Sequence, residues 1–461
     1  MTHMTLRRAA ALTVALAALL APATATAAAV SPAAPAAATA AQGLDRGVVA
    51  GLERSAHPLR STAPGGSDAD LAAFGAAMRG ARIVGLGEAS HGSKEIFTVK
   101  DRLLRRLVTH EGFSAFAMEI SWSAGVRLDA YVRTGEGDLR QIMREEFEDG
   151  YGLLNTEELR QLFAGVREHN RTAARPVRIV GLDFSDADPE QYGRILAWAG
   201  KHTPALVPEL ERRYAALRAL PGGVGARLAA YGALPLAERT AMAGDARAAY
   251  RLLEKAAERD PWVLQEARVL AQMAESFAVD FDDPAQVTAA NRQRDRIMAE
   301  TAVWWQRTMG DRLVLSAHDG HVSYDSAFPA VYPVTMGADL RELIGSGYLA
   351  VGTTVYSGDY RARTASGEAG TFSVPPAAPG SNEETLDAVR HRDFFLDLRA
   401  ARRDPAVAAW LGAARPTYVI PGRQPYATVS SLALGSAYDI VVHLHRVHAS
   451  VPVPLPAPRQ R

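Results

Sequence analysis

The sequence predicts an α/β fold: a mostly parallel central sheet flanked by helices, with a helical insertion covering one end. Three observations carry this. Short runs that are apolar on both faces recur between residues 82 and 444, as strands buried under helices on both sides do. An amphipathic helical pattern separates the first two runs, so strand, helix and strand form a βαβ unit. A long stretch, residues 190–305, is instead rich in Ala, Leu, Arg and Glu, with no strand-like run.

The chain has 461 residues. Arg7 and Arg8 precede an apolar run, and small residues with A-x-A spacing recur from Ala23 to Ala29. Residues 1–27 therefore read as a signal peptide, which implies a secreted or extracytoplasmic protein. The arginine pair also fits a twin-arginine type of export. The apolar core falls short of the ~20 residues a spanning helix needs, and the mature chain is expected to carry no transmembrane segment. Residues 28–44 read as an Ala/Pro linker, residues 45–447 as the α/β domain, and the Pro-rich stretch 448–461 as a disordered tail.

The expected strands are 82–87 (RIVGLG), 115–120 (AFAMEI), 177–182 (VRIVGL), 312–316 (RLVLS), 348–355 (YLAVGTTV), 394–398 (FFLDL) and 439–444 (DIVVHL). Ile96, Val99, Leu103, Leu104 and Leu107 predict a helix that starts near Ser93 and stops near Gly112. In 190–305, Met242, Ala246, Tyr250 and Leu253 keep helical spacing, and Pro221-Gly222-Gly223 and Asp260-Pro261 punctuate it. Residues 356–363 read as a loop.

Composition narrows the function. Lys plus Arg and Asp plus Glu both number 51, so there is no basic footprint for nucleic acid and no basic stripe for a membrane surface. A small-molecule substrate is the expected partner, and oligomeric state is not legible. There is no cysteine, so a thiol nucleophile is excluded and any metal ligand would be His or carboxylate. No G-x-S-x-G elbow and no G-x-G-x-x-G loop after a strand is present. No cofactor is expected.

Polar groups stand where the apolar runs end. Gly87-Glu88-Ala89-Ser90-His91 follows the first strand, Glu119 interrupts the second, Asp183 ends the third, and Ser316-Ala317-His318-Asp319-Gly320-His321 follows the fourth. A carboxylate ending a buried strand is costly unless paired, so each alone can be a structural ion pair or cap. Four such ends together point to one site, because ligands of open α/β sheets bind at strand C-termini. Two chemistries fit. One His acts as a general base while carboxylates hold its tautomer, or the cluster binds a divalent metal.

These residues carry a resemblance. Residues 83–91 (IVGLGEASH), Gly112-Phe113, 116–119 (FAME), Gly181-Leu182-Asp183, 294–300 (RDRIMAE), 317–321 (AHDGH) and Tyr356-Ser357-Gly358 are similar, in order and spacing, to segments of the erythromycin esterase family. The resemblance spans about residues 45–447. It implies a metal-independent hydrolase that opens an ester or macrolactone, macrolide antibiotics among them. His91 would be the base that activates water, with Glu88 orienting it, Glu119 as second acid and His318 assisting proton transfer. His321, Lys100, Asp183 and Tyr356 would contact substrate. Arg294 and Asp295 are expected to serve structural pairing more than catalysis. One departure stands out: Lys100 occupies a position where the family often has Arg, and lysine lacks the planar fork. Two other readings stay open. The same base could drive cyclisation or elimination of a natural product, or the chain could be an exported metal- or ligand-binding protein.

Overall fold

The computed structural model describes residues 44–454 except 148, 185–187, 222–223 and 425–428. The expected signal peptide and nearly all of the linker lie outside the described residues. The architecture is α/β. Its strands are β1 (Ala56–Pro58), β2 (Ile83–Leu86), β3 (Ala115–Ser121), β4 (Arg178–Asp183), β5 (Leu313–Ser316), β6 (Tyr348–Arg363), β7 (Ala369–Val374), β8 (Phe394–Asp397), β9 (Arg415–Tyr418), β10 (Val429–Leu432) and β11 (Ile440–Val447). The main sheet runs β1-β8-β11-β6-β2-β5-β3-β4, and β7 pairs with the end of β6. From β11 to β4 every pairing is parallel, whereas β1 and β8 are antiparallel. β9 and β10 form a separate hairpin-like pair.

The double-sided burial has a visible cause. Along β2, β3 and β5, Val84, Phe116 and Val314 enter one core, while Ile83, Ala115 and Leu313 enter the other. The first core is closed by helices Lys94–Glu111, Trp122–Thr134 and Glu157–Asn170. The second is closed by Pro284–Met309, Met336–Ile344 and Pro405–Leu411. Period-2 alternation thus feeds two apolar layers, which is why the strands read as unbroken apolar runs. The region 190–305 is helical, as expected, and builds its own core around Tyr192, Tyr214, Leu270 and Phe277.

β5 lies between β2 and β3, and β6 lies on the other side of β2. Chain order therefore reverses direction around β2 and β5, and the crevice at their C-terminal ends is the natural ligand position in such a sheet. The helix after β2 starts at Lys94 and stops at Gly112, whose φ of 74° ends it in the left-handed region.

Two expectations change. Residues 356–363 are no loop: β6 runs 16 residues and its second half pairs antiparallel with β7. The burial there alternates, the mark of a strand covered on one face only, so an apolar-run criterion misses it. The chain also stays packed beyond residue 447. Ala449 bridges Ser93, Pro452 bridges Thr156, and Val453 is buried. Prolines suit this position, since an edge bridge does not need every N–H. Residues 455–461 of the expected tail lie outside the described residues.

Candidate active site

Glu88 and His91 sit on the loop that leaves β2. That loop is held by close approaches, of a buried carboxylate at one end and of backbone at the other. A Cβ on Gly87 would fall 1.8 Å from Asp319 Oδ1, and one on Gly92 would fall 1.9 Å from the Arg361 carbonyl oxygen, so only glycine fits either place. Asp319 N–H donates to the Glu88 carbonyl (2.8 Å), which ties the β2 loop to the β5 loop.

The Glu88 carboxylate is buried. Its Oε1 accepts from Lys100 Nζ (2.6 Å) and Ser316 Oγ (2.9 Å), and its Oε2 pairs with His91 Nδ1 (2.8 Å). Burial alone would push this carboxyl up, but the Lys100 charge and the His91 hydrogen bond hold it down at about 2. Ionised Glu88 accepts the Nδ1–H of His91, which leaves Nε2 as the free ring nitrogen. Burial opposes protonation of His91; Glu88 and the charge of Glu119 outweigh it and raise its pKa above the ordinary value. The His91 side chain keeps 21% of its surface exposed, against 3% for Glu88.

Glu119 lies where the β3–β4 register shifts between Met118 and Ser121. Such an irregularity re-aims a side chain, and here it releases a carboxylate from an otherwise apolar strand. Glu119 Oε1 accepts from Arg294 Nη2 (2.9 Å), and Oε2 accepts the backbone N–H of His318 (3.0 Å). Burial would raise its pKa, yet His321 and Arg294 hold it well below the carboxylate range. Arg294 also grips Asp183 Oδ2 through Nε (2.8 Å) and Nη2 (2.6 Å), and Tyr151 donates its hydroxyl to the same oxygen (3.0 Å).

The two histidines after β5 differ. His321 Nδ1 faces Asp295 Oδ1 at 2.5 Å, and its Nε2 lies 3.3 Å from Glu119 Oε1. Burial disfavours its charge, but Asp295 and Glu119 raise its pKa to about 10. Burial also pushes the Asp295 carboxyl up; two carboxylates against one imidazole keep the proton on His321. His318 is the opposite. Its Nδ1 accepts from Gly320 N–H (3.1 Å), so Nε2 carries the hydrogen and donates to the Ile420 carbonyl (3.0 Å). Burial and the neighbouring His91 and His321 charges bring its pKa down to about 3. His318 is a neutral wall beside His91, with ring centroids 5.0 Å apart.

His91, Glu119, His318 and His321 line one cleft, closed by Phe328, Tyr332 and Pro421, with a volume of about 420 Å³ including its open mouth. Three expected contacts lie away from the cleft, and His318, which lines it, is already bonded. Lys100, 3% exposed, lies beneath Glu88 and holds that carboxylate in place of touching the cleft. Asp183 is fully buried behind Arg294. Tyr356 stacks on His445 (5.6 Å) on the β6–β11 side of the sheet. His318 has both ring nitrogens committed, so it cannot relay a proton without breaking a bond. Arg294 and Asp295 do pair, as expected, but their partners are Glu119 and His321 themselves. Adjacent charges in a helix flanked by apolar turns were the signal, and sequence does not say what they face. Ser316 is tied between Lys100 and Glu88, so it is no nucleophile. Among the described residues, no three His, Asp or Glu side chains are placed to hold a metal ion, and no helix is long and apolar enough to cross a membrane.

An α/β sheet with a carboxylate-held imidazole in a cleft at its parallel strand ends places the chain in a class of proteins whose site can support acid–base chemistry. The family narrows that class: the chain belongs to the erythromycin esterase family, whose match covers residues 108–447, most of the chain. Membership supports a hydrolase. The match begins after Glu88 and His91, so those two rest on geometry. An erythromycin esterase type II of Escherichia coli is 33% identical over 103 residues, which is 22% of this chain and 23% of that protein. A solved Bacillus cereus protein superposes with a TM-score of 0.80 at 28% identity, covering 88% of this chain and 98% of that one. An erythromycin esterase mutant in its open conformation shares the fold, with a TM-score of 0.65 at 16% identity over 84% of this chain and 96% of its own.

Proposed function

We propose that this chain is an ester hydrolase in which His91 activates water, with esters or lactones as substrate class and a macrolactone as the first to test. One observation carries the reading: Glu88 holds His91 through Nδ1 (2.8 Å) and leaves Nε2 on the cleft. His91 Nε2 takes a proton from water as the oxygen adds to the ester carbonyl. The tetrahedral oxyanion collapses, the C–O bond breaks, and His91 returns the proton to the departing alkoxide. One water is consumed, giving an acid and an alcohol. Glu88, kept ionised by Lys100, supports the imidazolium that forms. His321, held charged by Asp295 and Glu119, contributes a fixed positive charge at the cleft floor, where negative charge develops.

The test is mass spectrometry of erythromycin and a panel of simple esters and lactones after incubation with the purified protein, with His91→Ala as control. The expected product is one water heavier than its substrate and absent with the variant. A product of unchanged mass, or one lighter by a water, would replace hydrolysis with cyclisation or elimination.

A further inference from the structure

The hydrolytic reading needs a donor for the carbonyl oxygen, and most polar side chains of the cleft are already engaged. His318 is bonded at both nitrogens. His321 faces a carboxylate on each side. Glu119 only accepts, and His91 Nε2 must stay an acceptor to serve as base. Tyr332 is what remains. It lines the cleft, and among the described residues its hydroxyl has no hydrogen-bond partner. The residue as a whole is only 6% exposed, yet its hydroxyl, unlike that of Tyr214, is not sealed from solvent, so the unpartnered O–H is open to the cleft that the residue lines.

The placement of this ring is specific. It packs edge-on against His321, with centroids 5.3 Å apart and planes at 88°. Its backbone N–H is tied to the Phe328 carbonyl (2.8 Å). Burial pushes its phenol up despite the charge of Arg294, and Asp295, Glu119 and Asp183 add to the rise. These charges surround the cleft, and the upward shift keeps the phenol an O–H near neutral pH.

We propose that Tyr332 is a further catalytic residue: its hydroxyl donates a hydrogen bond to the substrate carbonyl oxygen and stabilises the oxyanion formed when His91-activated water adds. No proton is transferred from the phenol; the O–H bond stays intact through the step. The neighbouring His321 charge reinforces the donor. This proposal rests on the hydrolytic reading above.

The experiment is steady-state kinetics of Tyr332→Phe on the ester identified by product mass, with a pH–rate profile and a melting curve. Phenylalanine keeps the ring against His321 and removes only the donor. The expected result is a fall in kcat of about 10²-fold or more, a KM within a few fold, an unmoved acid limb and an unmoved melting temperature. Wild-type kcat in Tyr332→Phe would overturn the role while leaving the hydrolase reading intact. A kcat loss with a displaced acid limb would overturn it too, making Tyr332 a residue that positions His91. A folded wild-type protein inert on every ester and lactone would defeat the hydrolytic reading and this inference with it.

Discussion

His91 and His321 line one cleft, and each offers Nδ1 to a carboxylate, yet their surroundings suit them to different work. The carboxylate of His91 is shared: Lys100 and Ser316 take one oxygen of Glu88 and leave the other to the imidazole. His321 has two carboxylates: Glu119 Oε1 is shared with Arg294, but among the described residues Asp295 Oδ1 pairs with His321 alone. The first arrangement raises the pKa of a ring that still meets solvent; the second raises it to about 10 on a buried ring. A ring that must gain and lose a proton each turnover needs the former. A ring that supplies steady charge needs the latter. The lesson is that the partner's other partners, more than the partner itself, set a histidine's role.

The largest blow to this contrast is His91→Ala. Turnover should fall by about 10²–10⁴-fold, the usual contribution of a general base, with the circular dichroism spectrum and melting curve preserved; near-normal kcat would remove His91 from the chemistry. Lys100→Met comes next. It strands Glu88 as an uncompensated buried charge, and urea unfolding should show a loss of about 3–5 kcal/mol. A stable variant would mean that Ser316 and His91 suffice to hold that carboxylate.

Asp295→Asn sharpens the other side. It removes one carboxylate from His321, and a charge-assisted hydrogen bond of ~1.5–3 kcal/mol corresponds to roughly a tenfold to hundredfold rate loss. The pKa of His321, followed by NMR, should drop below about 10, while that of His91 holds. If both move together, the two halves are one titrating unit.

The pH profiles should separate the halves as well. As the proposed base, His91 would be active when neutral, so kcat/KM should rise with pH through a midpoint above 6.5. Stability has its own signs. The Glu88 carboxyl is lowered from 4.5 to about 2, so its contribution is full above 4.5 and lost as pH falls through 2. His321 is raised from 6.5 to about 10, so its contribution is full below 6.5 and lost as pH rises through 10. Denaturant midpoints of His321→Gln should therefore lack the alkaline decline of the wild type. The smallest effect belongs to Tyr356→Phe, which should leave kcat and KM within about twofold, since its ring stacks on His445 away from the cleft.

All seven expected strands are present, because a strand buried on both faces is an apolar run that needs no context to recognise. The four expected strand ends do converge, because parallel strands joined by helices put their C-termini on one edge. The second half of β6 was not legible: one covered face leaves an alternating pattern, and its partner β7 is itself half exposed. Tyr332 and Phe328 were not legible either, since an aromatic in a Pro- and Ser-rich loop carries no sign of where it packs.

By itself, then, the sequence determined which residue types stand at the ends of the sheet, since hydrophobic periodicity is a local property of the chain. Only the tertiary structure decided which of them are charged, neutral or free. Lys100 reached Glu88 across twelve positions, Arg294 reached Asp183 across 111 and Glu119 across 175, and Asp295 reached His321 across 26. A pKa depends on distance and burial, and neither is written along the chain.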